Sequence, residues 1–291
     1  MRKSFKTQPA LFVSTTALDH PSLHGLDDTE AVLDWSHLEV LMDKIYASKT
    51  GRPSYPLLTL LRSLLLGIWY KLSDEQLAAS LARDLLFRRF CRLELSADIP
   101  DATPVEAAQP GPGTGVDDKP TKDAEAGWHV KQDSRGKLKS TYGYSVHTGV
   151  DEDGFIHRQT VTPGNVHDSR ERDTLLLGDE SELYADAAYS SAETRDKLAR
   201  FGIADRVQRK GYRNHPLSAA DHHRNKEIAV TRSGGERPFA TYKRLCGLAR
   251  TRFTGLDKNL TFYGLAGMAS NIRKAAKFLT LYGIRDPVPT G

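Results

Sequence analysis

The stretch Glu182-Leu-Tyr-Ala-Asp186-Ala-Ala-Tyr189 decides the fold, because a short apolar run ends there at an aspartate. A helical pattern, Ala192 to Leu198, follows directly. Open α/β sheets place ligand-binding groups at the carboxyl ends of their strands, which makes Asp186 a candidate site residue. The alternative is that Asp186 only caps the element that follows. The stretch therefore predicts a strand leading into a helix, with a carboxylate at the junction.

A second stretch, Arg232-Ser-Gly-Gly-Glu236-Arg-Pro-Phe-Ala-Thr-Tyr-Lys243, sets a carboxylate between two cations. On one continuous helix Arg232, Glu236 and Lys243 would share a stripe. Such a stripe suits a divalent cation beside a phosphodiester, but taken alone the stretch favours an ordinary surface helix. The two glycines and Pro238 favour a helix that begins near Glu236, with Arg232 in the preceding loop. Together with Asp186, Glu236 predicts a two-carboxylate metal site.

Both stretches resemble the second and third acidic motifs of insertion-sequence transposases of the DDE type, in particular the IS-five-like family. The strings that begin at Gly247 and at Asn271 resemble the C-terminal end of the same family. The resemblance implies an RNase H-like catalytic domain that performs two-metal phosphoryl transfer on DNA. It also implies that Arg232 and Lys243 contact DNA near the scissile phosphate.

The resemblance implies a third carboxylate, and Asp101 in Asp101-Ala-Thr103 is the candidate. Asp101, Asp186 and Glu236 would then bind Mg²⁺ or Mn²⁺. In the family an apolar strand precedes this aspartate, whereas Pro100 argues against a central strand here. One Asp-Ala-Thr string serves two family motifs, the end of a helical domain and the first acidic motif. We therefore hypothesise an internal deletion that removed the first strand of the sheet.

Composition and charge limit the class of protein. The chain has 291 residues, a formal net charge of +4 and 39% hydrophobic residues, as is typical of a soluble and mildly basic protein. Cys91 and Cys246 have no zinc-site spacing and indicate free thiols in a reducing cytosol. The apolar run Leu57–Trp69 is shorter than the ~20 residues of a membrane span and predicts a buried helix. We expect a cytoplasmic, nucleoid-associated bacterial protein.

The basic segment from Arg209 to Arg224 predicts a DNA-facing insertion, with Lys210 and Arg213 as contacts and Arg237 as a further one. The resemblance implies double-stranded DNA as the partner, both terminal inverted repeats and target DNA. It further implies a homodimer or higher oligomer on DNA, with no membrane. His147 and His167 are expected near the site, and structural roles are favoured for both.

The predicted order is α/β (α+β): a helical domain, then an RNase H-like mixed sheet flanked by helices. We expect a lead-in at 1–30, a helical DNA-binding or multimerisation domain at 31–95, a linker at 96–140 and a catalytic domain at 141–283. The helices fit a helix-turn-helix-like module or a plain bundle equally well. The predicted elements are helices from Trp35, Leu57–Tyr70, from an N-cap at Ser73, from Leu86, near Arg170–Leu177, Ala192–Arg200 and Lys258–Leu281, and strands Tyr142–Val150, Phe155–Thr162, Leu183–Ala185 and Ala204–Val207.

Three functions are compatible with these patterns. The leading one is an insertion-sequence transposase that cleaves DNA and transfers strands. The alternative is a catalytically defective DNA-binding remnant that inhibits active copies or does nothing. A host RNase H-like nuclease is the third, and the family-like string that begins at Gly247 argues against it.

Overall fold

The computed structural model describes residues 24–42, 55–100, 113–114, 120–121, 123–132, 136–233, 237–244, 251 and 253–282. Two compact units are present. The first contains the described residues up to 67, from 72 to 102 and from 272 onward, and the second contains 68–71 and 103–271. Helices and strands are mixed along the chain, and the predicted α/β class is confirmed.

Five helices occupy the N-terminal part of the described chain. They are α1 His24–Val32, α2 Trp35–Met42, α3 Leu57–Tyr70, α4 Asp74–Arg83 and α5 Leu85–Phe90. Pro56 precedes α3, and Ser73 and Gln76 form the predicted capping box with reciprocal bonds of 3.1 and 2.9 Å. α1 begins inside the stretch, 1–30, that was expected to be a loosely ordered lead-in. Its short length gave too few turns for helical periodicity to be recognised.

The apolar helix α3 is buried, as predicted. Leu61, Leu65 and Leu66 on this helix are buried within the first unit, together with residues of α4 and α5. In the part of the chain that the structure describes, no helix is long and apolar enough to cross a membrane.

Arg62 is a buried cation of the first unit, with a side chain only 2% exposed. Its guanidinium forms a two-pronged ion pair with Glu30 and donates to the Phe90 carbonyl at 2.8 Å. It also lies over the Trp35 ring, 3.8 Å from the ring centroid. Helices α1, α2, α3 and α5 are therefore connected through a single side chain.

Residues 91–100, the segment after α5, belong to the first unit. Arg88 donates to the carbonyls of Leu81 and Ala97 at 3.3 and 3.0 Å, and also to that of Glu94. Residues 91–100 contain turns and bends but no strand. The residues that lead to Asp101 thus do not form a central strand, in agreement with the interpretation of Pro100.

Within its described residues the second unit contains three small sheets. β1 Gly113–Thr114 and β2 Pro120–Thr121 form an antiparallel pair. β3 Gly127–Gln132, β4 Leu138–Val150 and β5 Ile156–Pro163 form an antiparallel sheet in the order β3-β4-β5. β6 Glu182–Ala185 and β7 Ala204–Val207 form a parallel pair.

The predicted hairpin joins β4 to β5. The Asp151 side chain accepts from the Phe155 amide at 2.7 Å, and Gly154 supplies the positive φ of +77° that the turn requires. β3 was not predicted and lies in the stretch expected to be a linker. It pairs with the first half of β4, whereas β5 pairs with the second half.

The β6–β7 pair is built around the predicted strand–helix–strand order. α7 Ala192–Arg200 connects the two strands, and a buried cluster of Ala185, Leu198, Ile203 and Val207 forms their core. Among the described residues no strand joins this pair to the three-stranded sheet. A strand between them, which the RNase H-like prediction requires, is therefore not among the described residues.

Besides α7, four described helices follow β5. They are the short α6 Arg172–Leu175, then α8 Ala219–Arg232, α9 Arg237–Arg244 and α10 Leu256–Tyr282. α10 matches the long helix predicted at the C-terminal end. α8 was not predicted, although Ser218 and Asp221 form a capping box at its start. The polar surface of α8, with Ile228 as its buried residue, concealed its helical period.

Candidate active site

Asp186 lies at the carboxyl end of β6, where the sequence predicted it. The residue also caps a 3₁₀ turn, Ala187–Tyr189, because its Oδ1 accepts from the Ala188 amide at 2.8 Å. Asp186 therefore both follows the end of the strand and caps the turn. Oδ2 receives no hydrogen bond from any described residue and is available to a ligand.

A second 3₁₀ turn, Asp168–Arg170, packs against the turn that follows Asp186. Asp168 is exposed, and Glu171 follows the turn. Burial raises the pKa of Tyr189, and the negative charges of Asp168 and Asp186 raise it further. Tyr189 therefore stays a neutral hydrogen-bonding group beside carboxylates.

Arg232 brings positive charge to the same place. Its charge acts on the Tyr189 pKa in the opposite direction to Asp168 and Asp186. Arg232 is the last residue of α8, and α8 packs against β6. The prediction that Arg232 precedes the helix in a loop is wrong, because the Ser218 capping box starts a helix fourteen residues long that ends at Arg232.

The stripe through Arg232, Glu236 and Lys243 crosses residues 234–236, which lie outside the described residues. α8 ends at Arg232 with Ser233 as its C-cap, and α9 is described from Arg237 to Arg244. These bounds agree with the predicted helix that begins near Glu236 and has Pro238 in its first turn.

Two of the three predicted carboxylates, Asp101 and Glu236, lie outside the described residues. Only the backbone of Arg237 and Lys243 is described, within α9. In the described part of the chain no group of three His, Cys, Asp or Glu side chains could hold a metal ion. The donor chemistry of Asp186 nevertheless fits Mg²⁺ or Mn²⁺, which prefer hard carboxylate oxygens.

Lys210 and Arg213 lie in the loop between β7 and α8, and both are exposed. Asn225 fixes the base of this loop, with bonds of 2.8 and 2.9 Å to the amide and carbonyl of Arg209. The cationic side chains of Arg209 and Arg224 pair with Asp205 at 3.1 and 3.7 Å. The basic segment is therefore partly neutralised at its base, and its exposed charge lies at Lys210 and Arg213.

His147 and His167 have the structural contacts that were favoured for them. His147 is buried, with Nε2 2.8 Å from Thr162 Oγ1 and Nδ1 3.4 Å from Asp168 Oδ1. Burial lowers its pKa, and Asp168 and Glu171 partly oppose that shift. His167 caps the 3₁₀ turn by accepting from the Ser169 amide at 3.2 Å.

Sequence reasoning missed the surroundings of Asp186. Asp168, Glu171 and Tyr189 join Asp186 and Arg232 in one electrostatic neighbourhood. The available signal was Asn165-Val-His-Asp168-Ser, a polar string directly after β5. Its position at the end of a strand is the criterion that had singled out Asp186.

Comparisons with known proteins show which family the chain resembles. The family model described as a transposase DDE domain matches residues 99–272, more than half of the chain. A second model, described as a transposase domain, matches residues 18–105. The IS-five-like subfamily is not distinguished by these matches.

One curated relative is the transposase for insertion sequence element IS1106 of Neisseria meningitidis serogroup B. The two sequences are 35% identical over 163 residues, which is 55% of this chain and 55% of the relative. The chain thus spans about half the length of this relative. No solved structure matches the chain.

Proposed function

We propose that this chain, which belongs to the transposase DDE domain family, cleaves DNA and transfers strands for an insertion sequence. The observation that carries the proposal is Asp186 at the carboxyl end of β6, with the charges of both Asp186 and Arg232 acting on the neutral Tyr189. A carboxylate close to a guanidinium is the combination needed to hold a divalent cation and a phosphodiester together.

The catalytic carboxylates in this proposal are Asp101, Asp186 and Glu236. They would hold Mg²⁺ or Mn²⁺, which supplies an activated hydroxyl nucleophile and charge stabilisation in phosphoryl transfer. Asp186 contributes Oδ2, since Oδ1 is occupied by the Ala188 amide. Arg232 orients the phosphodiester by hydrogen bonds to its oxygens.

The DNA contacts in this proposal are Arg232, Lys243, Arg237, Lys210 and Arg213. Exposure of Lys210 and Arg213 on the loop before α8 supports backbone contacts there. The partners are the terminal inverted repeats and target DNA, and the working unit is a homodimer or higher oligomer. Nucleoid association in the bacterial cytoplasm follows from such a role.

A second candidate, a DNA-binding remnant without catalysis, is supported by the region around Asp101. Residues 91–100 form no strand, and Arg88 holds residues 94 and 97 to the helical unit. The two family matches also overlap at residues 99–105, so one Asp-Ala-Thr string serves both. An internal deletion of the first strand accounts for both observations and would leave Asp101 poorly positioned.

The deciding experiment incubates purified protein and Mg²⁺ with a DNA fragment that carries the terminal repeats flanking its gene. Asp101→Asn, Asp186→Asn and Glu236→Gln are compared with the control Asp196→Asn, which changes an exposed carboxylate on α7. Cleavage that is lost in the three variants and kept in the control supports the transposase.

Binding of the repeats without cleavage would support the remnant instead. If the protein neither binds nor cleaves the fragment, both candidates fail. A cleaving Asp101→Asn variant would remove Asp101 from the site while leaving the transposase proposal intact.

A further inference from the structure

The outer part of the β3–β4 hairpin is an exposed basic surface that takes no part in packing the core of the fold. We propose that this outer hairpin, residues 129–132 and 137–141, is an arm that lies along the phosphate backbone of duplex DNA. The inference rests on the proposed function for its choice of partner. It adds a contact surface that neither the predicted DNA-binding residues nor the family matches identify.

The strand register sorts the side chains of the arm onto two faces. His129 is opposite Thr141, and Lys131 is opposite Lys139, so these four residues share one face. Val130, Gln132, Leu138 and Ser140 share the other face. One face of the arm is therefore basic, and no carboxylate lies on it among the described residues.

Lys131 and Lys139 form a cross-strand pair of like charge. Residues directly opposite in an antiparallel pair have Cβ atoms about 4.5–5.5 Å apart, and like charges there destabilise the hairpin. Both side chains are exposed, and neither has an ion pair with a described residue. A polyanion lying against this face would neutralise the repulsion, whereas the free protein retains it.

The arm projects from its sheet with little cover. Residues 130–132 and 136–141 are all exposed, on both faces of the hairpin. Toward its base, Trp128 and Tyr142 are partly buried, and their rings contact each other at a tilt of 52° with centroids 5.1 Å apart. A two-stranded ribbon is marginally stable alone, so an uncovered arm fits a surface that is completed on binding.

The arm is one of several basic segments of the chain. The sequence 127–143 contains Lys131, Arg135, Lys137 and Lys139 against one acidic residue, Asp133, a formal charge of +3. Arg209 and Arg224 pair with Asp205 at the base of the loop before α8, whereas Lys131 and Lys139 have no ion pair with a described residue. An extended anion could therefore contact both lysines of the arm at once.

Duplex DNA fits the shape as well as the charge. A two-stranded β-ribbon is narrow enough to enter the major groove, and lysines on one face of such a ribbon reach phosphates. Backbone contacts of this kind position a protein on DNA without reading the sequence. The arm would therefore add affinity to any duplex, repeat or target.

The test measures binding of full-length protein to a random-sequence duplex at several salt concentrations, with EDTA present to prevent cleavage. K131Q/K139Q removes the like-charge pair. The control K226Q/K277Q neutralises two exposed lysines, one on α8 and one on α10, that have no ion pair with a described residue. K131R/K139R retains the charge and should retain binding.

For K131Q/K139Q we expect weaker binding and a slope of log K against log salt that is smaller by about 2, roughly one for each lost phosphate contact. Its thermal midpoint should equal or exceed that of the wild type, because repulsion between the lysines is removed. Weaker DNA binding together with an unchanged or higher thermal midpoint would indicate that the two lysines contact DNA, because loss of a structural role would lower the midpoint.

An unchanged slope in K131Q/K139Q, with wild-type binding intact, would overturn the arm while leaving the proposed function untouched. A change in sedimentation of the variant without any change in the slope would also overturn it, because the arm would then contact a second copy. Failure of the wild type to bind any duplex would overturn the proposed function together with the arm.

Discussion

His147 Nδ1 lies 3.4 Å from Asp168 Oδ1, and this pair connects the β4–β5 hairpin to the turn that packs beside Asp186. On its other side His147 Nε2 is 2.8 Å from Thr162 Oγ1. The imidazole is 3% exposed, whereas the carboxylate is 55% exposed. A buried neutral ring thereby fixes one oxygen of a solvent-facing acid close to the candidate site.

The first prediction concerns the ionisation of His147. Burial lowers its pKa below the usual value of about 6.5, and Asp168 raises it in part. Asp168→Asn should therefore lower the pKa of His147 further, and Glu171→Gln should do so to a smaller extent because Glu171 is the lesser cause. Imidazole titration by NMR measures the shift, and an unchanged value in Asp168→Asn would contradict the pairing.

The same shift predicts how stability depends on pH. Below about pH 6.5 His147 becomes protonated in the unfolded chain while it remains neutral in the folded chain. The unfolded state therefore binds more protons at this residue. The free energy of unfolding should fall as the pH is lowered from 6.5 to the folded pKa. His147→Gln should flatten this decline in denaturant titrations, whereas substitution of exposed His222 should not.

The second prediction uses two glycines of α10 that differ in their surroundings. A Cβ at Gly267 would lie 2.3 Å from Gln159 Oε1 and 3.3 Å from the Tyr242 hydroxyl, whereas a Cβ at Gly264 meets nothing within 4 Å. Gly264→Ala should stabilise the protein by up to about 1 kcal/mol, because alanine favours helix. Gly267→Ala should destabilise it by about 1–3 kcal/mol through overpacking.

The Gly267 effect has a functional consequence. Gln159 donates to the Tyr242 hydroxyl at 2.8 Å, and that bond fixes α9 against β5. Displacement of Gln159 should therefore weaken the DNA contacts that we propose for Arg237 and Lys243 on α9. Thermal unfolding and duplex binding of the two variants measure both effects, and equal behaviour of the glycine variants would contradict the packing.

Local signals predicted several elements because they do not depend on distant residues. Pro56 predicted the start of α3, Ser73 and Gln76 predicted the N-terminal cap of α4, and Asp151–Gly154 predicted the turn between β4 and β5. The helix α8 and strand β3 were missed for a physical reason. Both have exposed, polar surfaces, and periodicity is visible only where one face is buried.

The candidate site was predictable only in part. Asp186 was recognised because a strand end is a local feature of the sequence. Asp168 was not, because its proximity to Tyr189 and Asp186 arises from the packing of two short turns that are far apart along the chain. The start of α9 was predicted locally from the two glycines and Pro238, whereas α8, which ends at Arg232, was not predicted.

The third prediction compares two arginines that share one acid. Arg62 and Arg92 both bind Glu30, but the Arg62 side chain is 2% exposed and that of Arg92 is 70% exposed. Arg62→Ala should reduce the free energy of unfolding by about 3–5 kcal/mol, because it removes the buried cation from its ion pair with Glu30 and from its hydrogen bond to the Phe90 carbonyl. Arg92→Ala should cost at most about 1 kcal/mol. Urea unfolding distinguishes the two, and equal losses would contradict the buried network.

The last prediction concerns Cys91, which is buried beside Ser63 in the helical unit. Burial raises its pKa from 9.0 to about 11, so at pH 8 only about one molecule in a thousand holds the reactive thiolate. In a Cys246→Ser background the folded protein should react very slowly with a thiol reagent, and urea should restore ordinary reactivity. Because the folded pKa exceeds the unfolded one, the free energy of unfolding should also fall between pH 9 and 11. Rapid labelling of the folded protein at pH 8 would place Cys91 outside the core and contradict the packing of α3 against α5.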